Sequence, residues 1–238
     1  MHLGSYGRDL TPRKSLAALL RALDAHPSDV LVRMSSLEPM DCTPDVAELV
    51  TGSARFAPHF HLPLQHASDA VLHRMRRPYT VAGYRRVVTA IRDRLPHAAI
   101  GTDLVVGFPG ETDADAAATL DFLADSPLTY LHVFPYSDRP GTEASGMSGK
   151  VHGMRIRERA RAVRAAGAVL ADRFRATQVG AVRPGLTLAQ DGAGLVLTDN
   201  YLRVRLAQAW PGNERVRVRI TGAGETMAGE LVAPERAA

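Results

Sequence analysis

Residues 98–115 read AAIGTDLVVGFPGETDAD, and this stretch decides the fold. Ala98 to Val106 is an apolar run of strand type. It stops in Gly107-Phe108-Pro109-Gly110-Glu111-Thr112, where two glycines let backbone approach a ligand closely. Thr112 with Asp115 three residues later reads as a capping box that opens a helix. A strand, a glycine-bearing loop and a capped helix in succession form the repeating unit of a parallel α/β fold.

Working outward, the same alternation extends over the first part of the chain. Val30–Met34, His59–Leu64 and Thr129–Phe134 are further strand candidates. Thr11-Pro12 and Thr43-Pro44 each set a capping hydroxyl before a proline at a first helical position. Thr80 precedes Val81, Tyr84, Val88, Ile91 and Leu95, one apolar face at helical spacing. Residues 138–150 are rich in turn formers, and an arginine-rich helix is expected from about Met154 to Ala176. From Gly185 the period changes to two. Leu202, Val204 and Leu206 alternate with Arg203 and Arg205, and Val216, Val218 and Ile220 with Arg215, Arg217 and Arg219. Turns are expected at Asp191-Gly192, Asp199-Asn200, Pro211-Gly212 and Gly222. The expected organisation is an α/β unit over 1–176 and a small all-β barrel or sandwich, OB-like, over 177–238.

In parallel α/β folds ligands sit beyond the carboxyl ends of the strands. Those ends are Ser35–Pro39, Pro63–Asp69, Gly107–Thr112 and Pro135–Ser137, each small, polar or acidic. Glu38 can accept hydrogen bonds from ribose hydroxyls or an ammonium group, and Gln65 can both donate and accept. Taken singly, each polar residue is ordinary loop chemistry, with Ser68 and Thr112 as helix caps. Four such ends in succession point to one shared ligand site.

Composition sets the limits. The formal net charge is +4, a weak pull toward an anionic partner. Lys14 and Lys150 are the only lysines; every other basic residue is arginine. Arginine suits bidentate phosphate contacts and base stacking, although a codon bias would give the same excess. No stretch has the ~20 apolar residues of a membrane span, and the first residues do not form a signal peptide. A single cysteine, Cys42, rules out an internal disulfide framework, so the default location is cytoplasmic. His2–Gly7 reads as the end of a strand whose body is missing. Four parallel strands would leave an open edge, so the barrel is expected to lack its first strands and the chain to be N-terminally truncated.

Five strings carry a resemblance: HLGSYGRDL (2–10), RMSSLEP (33–39), HFHLPLQHASD (59–69), GTDLVVGFPGET (101–112) and LHVFPYSDRPGT (131–142). In this order and spacing they resemble the methylthiotransferase family of radical S-adenosylmethionine enzymes. The first and last are most similar to the branch that acts on threonylcarbamoyladenosine beside the tRNA anticodon. The resemblance implies a partial (β/α) radical-SAM barrel followed by a TRAM-like RNA-binding barrel. It implies S-adenosylmethionine along Ser36, Glu38, Gln65, Asp103, Gly107, Phe108, Pro109 and Glu111, with Arg74 and Tyr136 at the mouth. It implies a tRNA anticodon stem-loop as partner, held by Arg203, Arg205, Arg215, Arg217 and Arg219, whose alternation also puts them on polar faces of two strands expected to be adjacent and suits phosphate contacts. The intact family enzyme would insert a methylthio group at adenine C2. It holds [4Fe–4S] clusters through cysteine loops, and one thiolate cannot hold such a cluster. Cys42 is therefore expected to be a small buried residue, and this chain to be inactive alone.

Three rival readings remain. A metal-dependent hydrolase would use His59 and His61, which point to one face of a strand, with Asp103 and His132 on neighbouring strands. Against it, both histidines lie near the start of their strand, away from the expected active end. A non-catalytic RNA-binding protein would keep the scaffold and the barrel. A Schiff-base lyase is weak, because neither Lys14 nor Lys150 sits at a strand end.

Overall fold

A computed structural model describes residues 3–189 and 194–234. The turn expected at Asp191-Gly192, and His2 of the HLGSYGRDL string, lie outside these residues.

The first part is built on a parallel sheet of three strands, β1 (His59–His61), β2 (Ala99–Val106) and β3 (Tyr130–Pro135), in that order. Helices α1 (Leu16–Asp24), α2 (Pro44–Gly52), α3 (Asp69–Arg74), α4 (Val81–Arg94), α5 (Asp113–Ala124) and α6 (Gly153–Gln178) accompany it. The expected caps at Thr43, Thr80 and Thr112 are all present: each hydroxyl accepts from a backbone N–H of the first turn. At Thr112 the capping box is reciprocal, since Asp115 accepts from the Thr112 N–H at 2.9 Å. The start expected at Thr11-Pro12 is not used; α1 begins at Leu16, capped by Ser15.

Strand β2 is the spine. Ile100, Leu104 and Val106 point toward the helices and join Tyr84, Val88, Ile91, Phe122 and Leu123 in one buried core. Gly101, Asp103 and Val105 face the opposite way. The strand expected over 59–64 stops at His61, because Pro63 has no N–H to give and Gln65 turns into a left-handed backbone (φ 71°). The Thr102 hydroxyl bridges this break, donating to the Leu62 carbonyl and accepting from the Leu64 N–H, both at 2.8 Å. Pairing with β2 then resumes at Gln65. The strand expected over Val30–Met34 is not formed; only Val32 makes a bridge, to Phe56. Val30 and Leu31 are 56% and 47% exposed, so nothing rewards extension there. The Arg55 guanidinium takes the place of a ladder, donating to the carbonyls of His26, Ser28 and Val30.

The second part is a closed five-stranded barrel in the order β4 (Val182–Leu188), β5 (Leu195–Thr198), β6 (Arg203–Leu206), β8 (Met227–Pro234), β7 (Arg215–Gly222). Val196, Val204, Leu206, Val216, Val218, Ile220 and Met227 form its core, and the alternating arginines face out, as the period-two pattern implies. One expectation needs correction. The two arginine-bearing strands are not neighbours: β8 lies between β6 and β7 and sets Ala228 and Glu230 among the arginines.

The barrel rests on the α/β part. Asn200 donates to the His97 carbonyl (2.8 Å) and to the Gln178 side chain (3.0 Å). Arg215 pairs with Asp29 at 2.9 Å. Tyr201 lies against the sheet, its ring 4.6 Å from that of His59, with the Arg33 guanidinium 4.2 Å above it.

Candidate functional site

A recess of about 590 Å³ opens beyond the carboxyl ends of the strands. That is the size of a small-molecule site. Gln65, Asp103, Phe108 and Tyr136 meet there, and Arg74, Arg76, Arg77 and Arg139 stand around it. Phe108 and Tyr136 form an edge-to-face pair with centroids 5.5 Å apart. Three residues here hold a left-handed backbone without being glycine: Ser36 (φ 55°), Gln65 (φ 71°) and Arg76 (φ 56°). Arg76 follows the C-cap of α3, where this conformation is ordinary. Ser36 and Gln65 end no helix, and strain of this kind clusters at binding sites.

Of the ten residues expected around the cofactor, five line the recess: Gln65, Arg74, Asp103, Phe108 and Tyr136. Glu38 adjoins it through Arg77, whose guanidinium lies 3.6 Å from the carboxylate; the buried Oε2 has no hydrogen bond. Ser36 lies off the lining: its hydroxyl is 3.3 Å from His61 Nδ1, and His61 in turn meets Asp103. Gly107, Pro109 and Glu111 are different. They are buried and lie outside the recess lining. A Cβ on Gly107 would strike Ile156 of α6. Glu111 accepts from the backbone N–H of Gly107 and Phe108, pairs with Arg159 at 3.0 Å and lies 3.6 Å from His66. It holds the loop in shape from behind.

The inner face of the sheet carries a second polar group. His61 Nε2 lies 2.9 Å, and His132 Nδ1 3.1 Å, from the same Asp103 oxygen. Burial alone would raise the Asp103 pKa, but the hydrogen bonds and charges of His61 and His132 hold it below the usual carboxylate range. His59 does not join them; its Nε2 meets the Tyr130 hydroxyl at 3.1 Å. Burial, with the Arg33 charge and His61 adding to it, pushes the His59 pKa down to about 4. Cys42 is buried, and burial pushes its thiol up to about 12.

Of the barrel arginines, Arg203, Arg205 and Arg217 are exposed on the outer face. Arg219 lies 3.8 Å from Glu230, and Arg215 is committed to Asp29. Sequence reasoning placed Arg74 at the mouth but missed Arg76, Arg77 and Arg139 beside it, although Arg74, Arg76 and Arg77 cluster just after the Gln65 loop. It also missed Tyr201, whose part depends on how the barrel seats.

A parallel sheet ending in a polar recess, with a separate β-barrel behind it, defines the class, and comparison with known proteins narrows it. Residues 3–123 match the radical SAM superfamily. The threonylcarbamoyladenosine tRNA methylthiotransferase MtaB of Thermotoga maritima is 40% identical over 159 residues, covering 67% of this chain and 36% of that protein. A tRNA-2-methylthio-N(6)-dimethylallyladenosine synthase of Parafrankia sp. is 42% identical over 158 residues, covering 66% of this chain and 32% of that protein. The ribosomal protein uS12 methylthiotransferase RimO of Desulfosudis oleivorans is 35% identical over 228 residues, covering 92% of this chain and 52% of that protein. The chain belongs to the radical SAM superfamily and, within it, to the methylthiotransferase family. It spans about a third of the length of the first two relatives and about half of the third. Among the described residues, no helix is long and apolar enough to cross a membrane.

Proposed function

We propose that this chain is the S-adenosylmethionine-binding and RNA-binding portion of a tRNA methylthiotransferase that works in the cytoplasm on N6-threonylcarbamoyladenosine beside the anticodon. The observation that carries this reading is the recess where Gln65, Asp103, Phe108 and Tyr136 converge at the strand ends.

The donor set fits S-adenosylmethionine. The buried Glu38 oxygen without a hydrogen bond suits the methionine ammonium group. Gln65 offers an amide to the carboxylate or the ribose, and the Phe108–Tyr136 pair offers an aromatic wall to adenine. Glu111 and Gly107 act through the backbone they fix, not by contact. Bound there, S-adenosylmethionine supplies a sulfonium carbon–sulfur bond for reductive cleavage.

A [4Fe–4S] cluster does not fit this chain. It needs several thiolates, and the one cysteine is buried with its thiol held protonated. Cluster ligands must be supplied by other residues than these, so the purified chain carries out no methylthio transfer by itself.

The substrate branch follows from the rim. Arg74, Arg76, Arg77 and Arg139 surround the opening, while Glu38 and Glu143 engage only Arg77 and Arg76. A threonylcarbamoyl group carries a carboxylate; a dimethylallyl group is apolar. A guanidinium rim favours the first. The closed barrel serves as the TRAM-like RNA-binding module, with Arg203, Arg205 and Arg217 free to meet phosphates.

Isothermal titration of the purified chain with S-adenosylmethionine tests this. One site is expected, weakened about tenfold by Gln65→Ala through loss of a hydrogen bond. Absence of binding, or binding indifferent to Gln65→Ala, overturns the assignment of the recess.

A further inference from the structure

We propose that His61, Asp103 and His132 form a binding site for one divalent first-row transition-metal ion of the zinc type, on the inner face of the parallel sheet. The three residues come from three consecutive strands. Asp103 pairs in register with His132, and His61 with Gly101, two positions before Asp103, so all three side chains project to one side. The His61 Nε2, Asp103 oxygen and His132 Nδ1 atoms all lie within 4.8 Å of one another. The two nitrogens stand 2.9 and 3.1 Å from the carboxylate oxygen. Ligand atoms around a tetrahedral ion with bonds of about 2.0–2.1 Å stand about 3.3 Å apart, so each nitrogen–oxygen separation needs to open by only a few tenths of an ångström, and the two nitrogens, within 4.8 Å of each other, need to close by at most about 1.5 Å.

The donor chemistry selects the ion. Two imidazoles and one carboxylate suit zinc, cobalt, nickel or ferrous iron; magnesium and calcium prefer oxygen alone. Three protein ligands leave at least one position open, the pattern of a site that also takes water or a substrate. Access is present: Asp103 lines the recess, and the His132 side chain is 56% exposed.

The protons balance without loss. In the metal-free protein, each ring donates an N–H to the ionised carboxylate, which can only accept. On metal entry His61 moves its proton to Nδ1, where the Ser36 hydroxyl lies 3.3 Å away to accept it. His132 moves its proton to Nε2. Ser36 thereby fixes the His61 ring as an outer-shell partner, the role such groups play around histidine ligands. His59 is excluded, because Tyr130 holds its Nε2. The proposal does not depend on how the recess binds an adenosyl group.

The test uses the chelator-treated full chain and cobalt(II) as probe, followed by its visible d–d bands and by zinc displacement. One equivalent is expected to bind. His132→Ala, an exposed change that should leave the fold intact by circular dichroism, should weaken cobalt at least about tenfold, as should Asp103→Asn. His59→Ala should leave cobalt affinity unchanged. Absence of stoichiometric cobalt binding, or equal binding by folded His132→Ala, overturns the site.

Discussion

The barrel and the parallel sheet handle their exposed edges in opposite ways. The barrel closes on itself, so among the described residues no strand of it lacks a neighbour, and its core cluster is apolar, with Arg183, Thr187 and Thr198 buried on its strands beside it. The sheet stays open. One border is patched by single contacts, with Val32 bridging Phe56 and the Leu37 N–H reaching the His61 carbonyl at 3.0 Å. At β3, Arg164 of α6 donates to the Val133 carbonyl at 3.3 Å. One face of the sheet is buried by helices, and the other carries His59, His61, Asp103, Tyr130 and His132. Closure pairs the barrel strands around a small apolar core, whereas the sheet packs one face on a larger apolar core and leaves its border and its other face to polar contacts, some of which shape its site.

The sharpest way to break this contrast is Glu111→Ala. It leaves the Gly107 and Phe108 N–H groups without their acceptor, and Arg159 with only Asp113 and the backbone carbonyl of residue 111. Each buried group left unsatisfied costs about 1–3 kcal/mol. In urea, the helical circular dichroism should melt at lower denaturant, while the fluorescence of Trp210, in the barrel, should shift less. Equal shifts of both probes would show that the two parts unfold as one.

Acid gives the next largest effect. The His59 pKa falls from about 6.5 in the unfolded chain to about 4 in the folded one. Between these values the unfolded state binds the proton and the native state does not. The stability is fully present above pH 6.5 and is lost as pH falls through 4, by up to ~3 kcal/mol. His59→Phe should flatten that dependence; a persistent slope would trace it to other groups.

The smallest effects separate two arginines on one strand. Arg217→Gln should lower the slope of log affinity for tRNA against log salt by about 1 and leave stability unchanged. Arg215→Gln should leave that slope alone and cost up to ~1 kcal/mol, because Arg215 pairs with Asp29 across the seam. The reverse result would exchange their roles.

What was legible from sequence was local. The hydroxyl caps at Thr43, Thr80 and Thr112, the run at β2 and the in–out alternation at β6 and β7 depend on neighbours a few residues away, and all are present. What failed depended on distant partners. Val30–Met34 has strand composition but no second strand to complete a ladder. The separation of β6 from β7 by β8 is a matter of strand order, which no period records. Glu111 has the residue type of a ligand, yet its hydrogen bonds are spent on its own loop and on a helix 48 residues away. Arg215 and Arg217 are identical in pattern; only Asp29, far off in sequence, tells them apart.

Tyr201 sets a mechanical condition on any traffic between the two parts. Against His59 and beneath Arg33, it acts as a locating pin, and Asn200 beside it latches onto His97 and Gln178. A polymer gripped by the barrel's outward arginines would be presented at the bearing and reach that these contacts set.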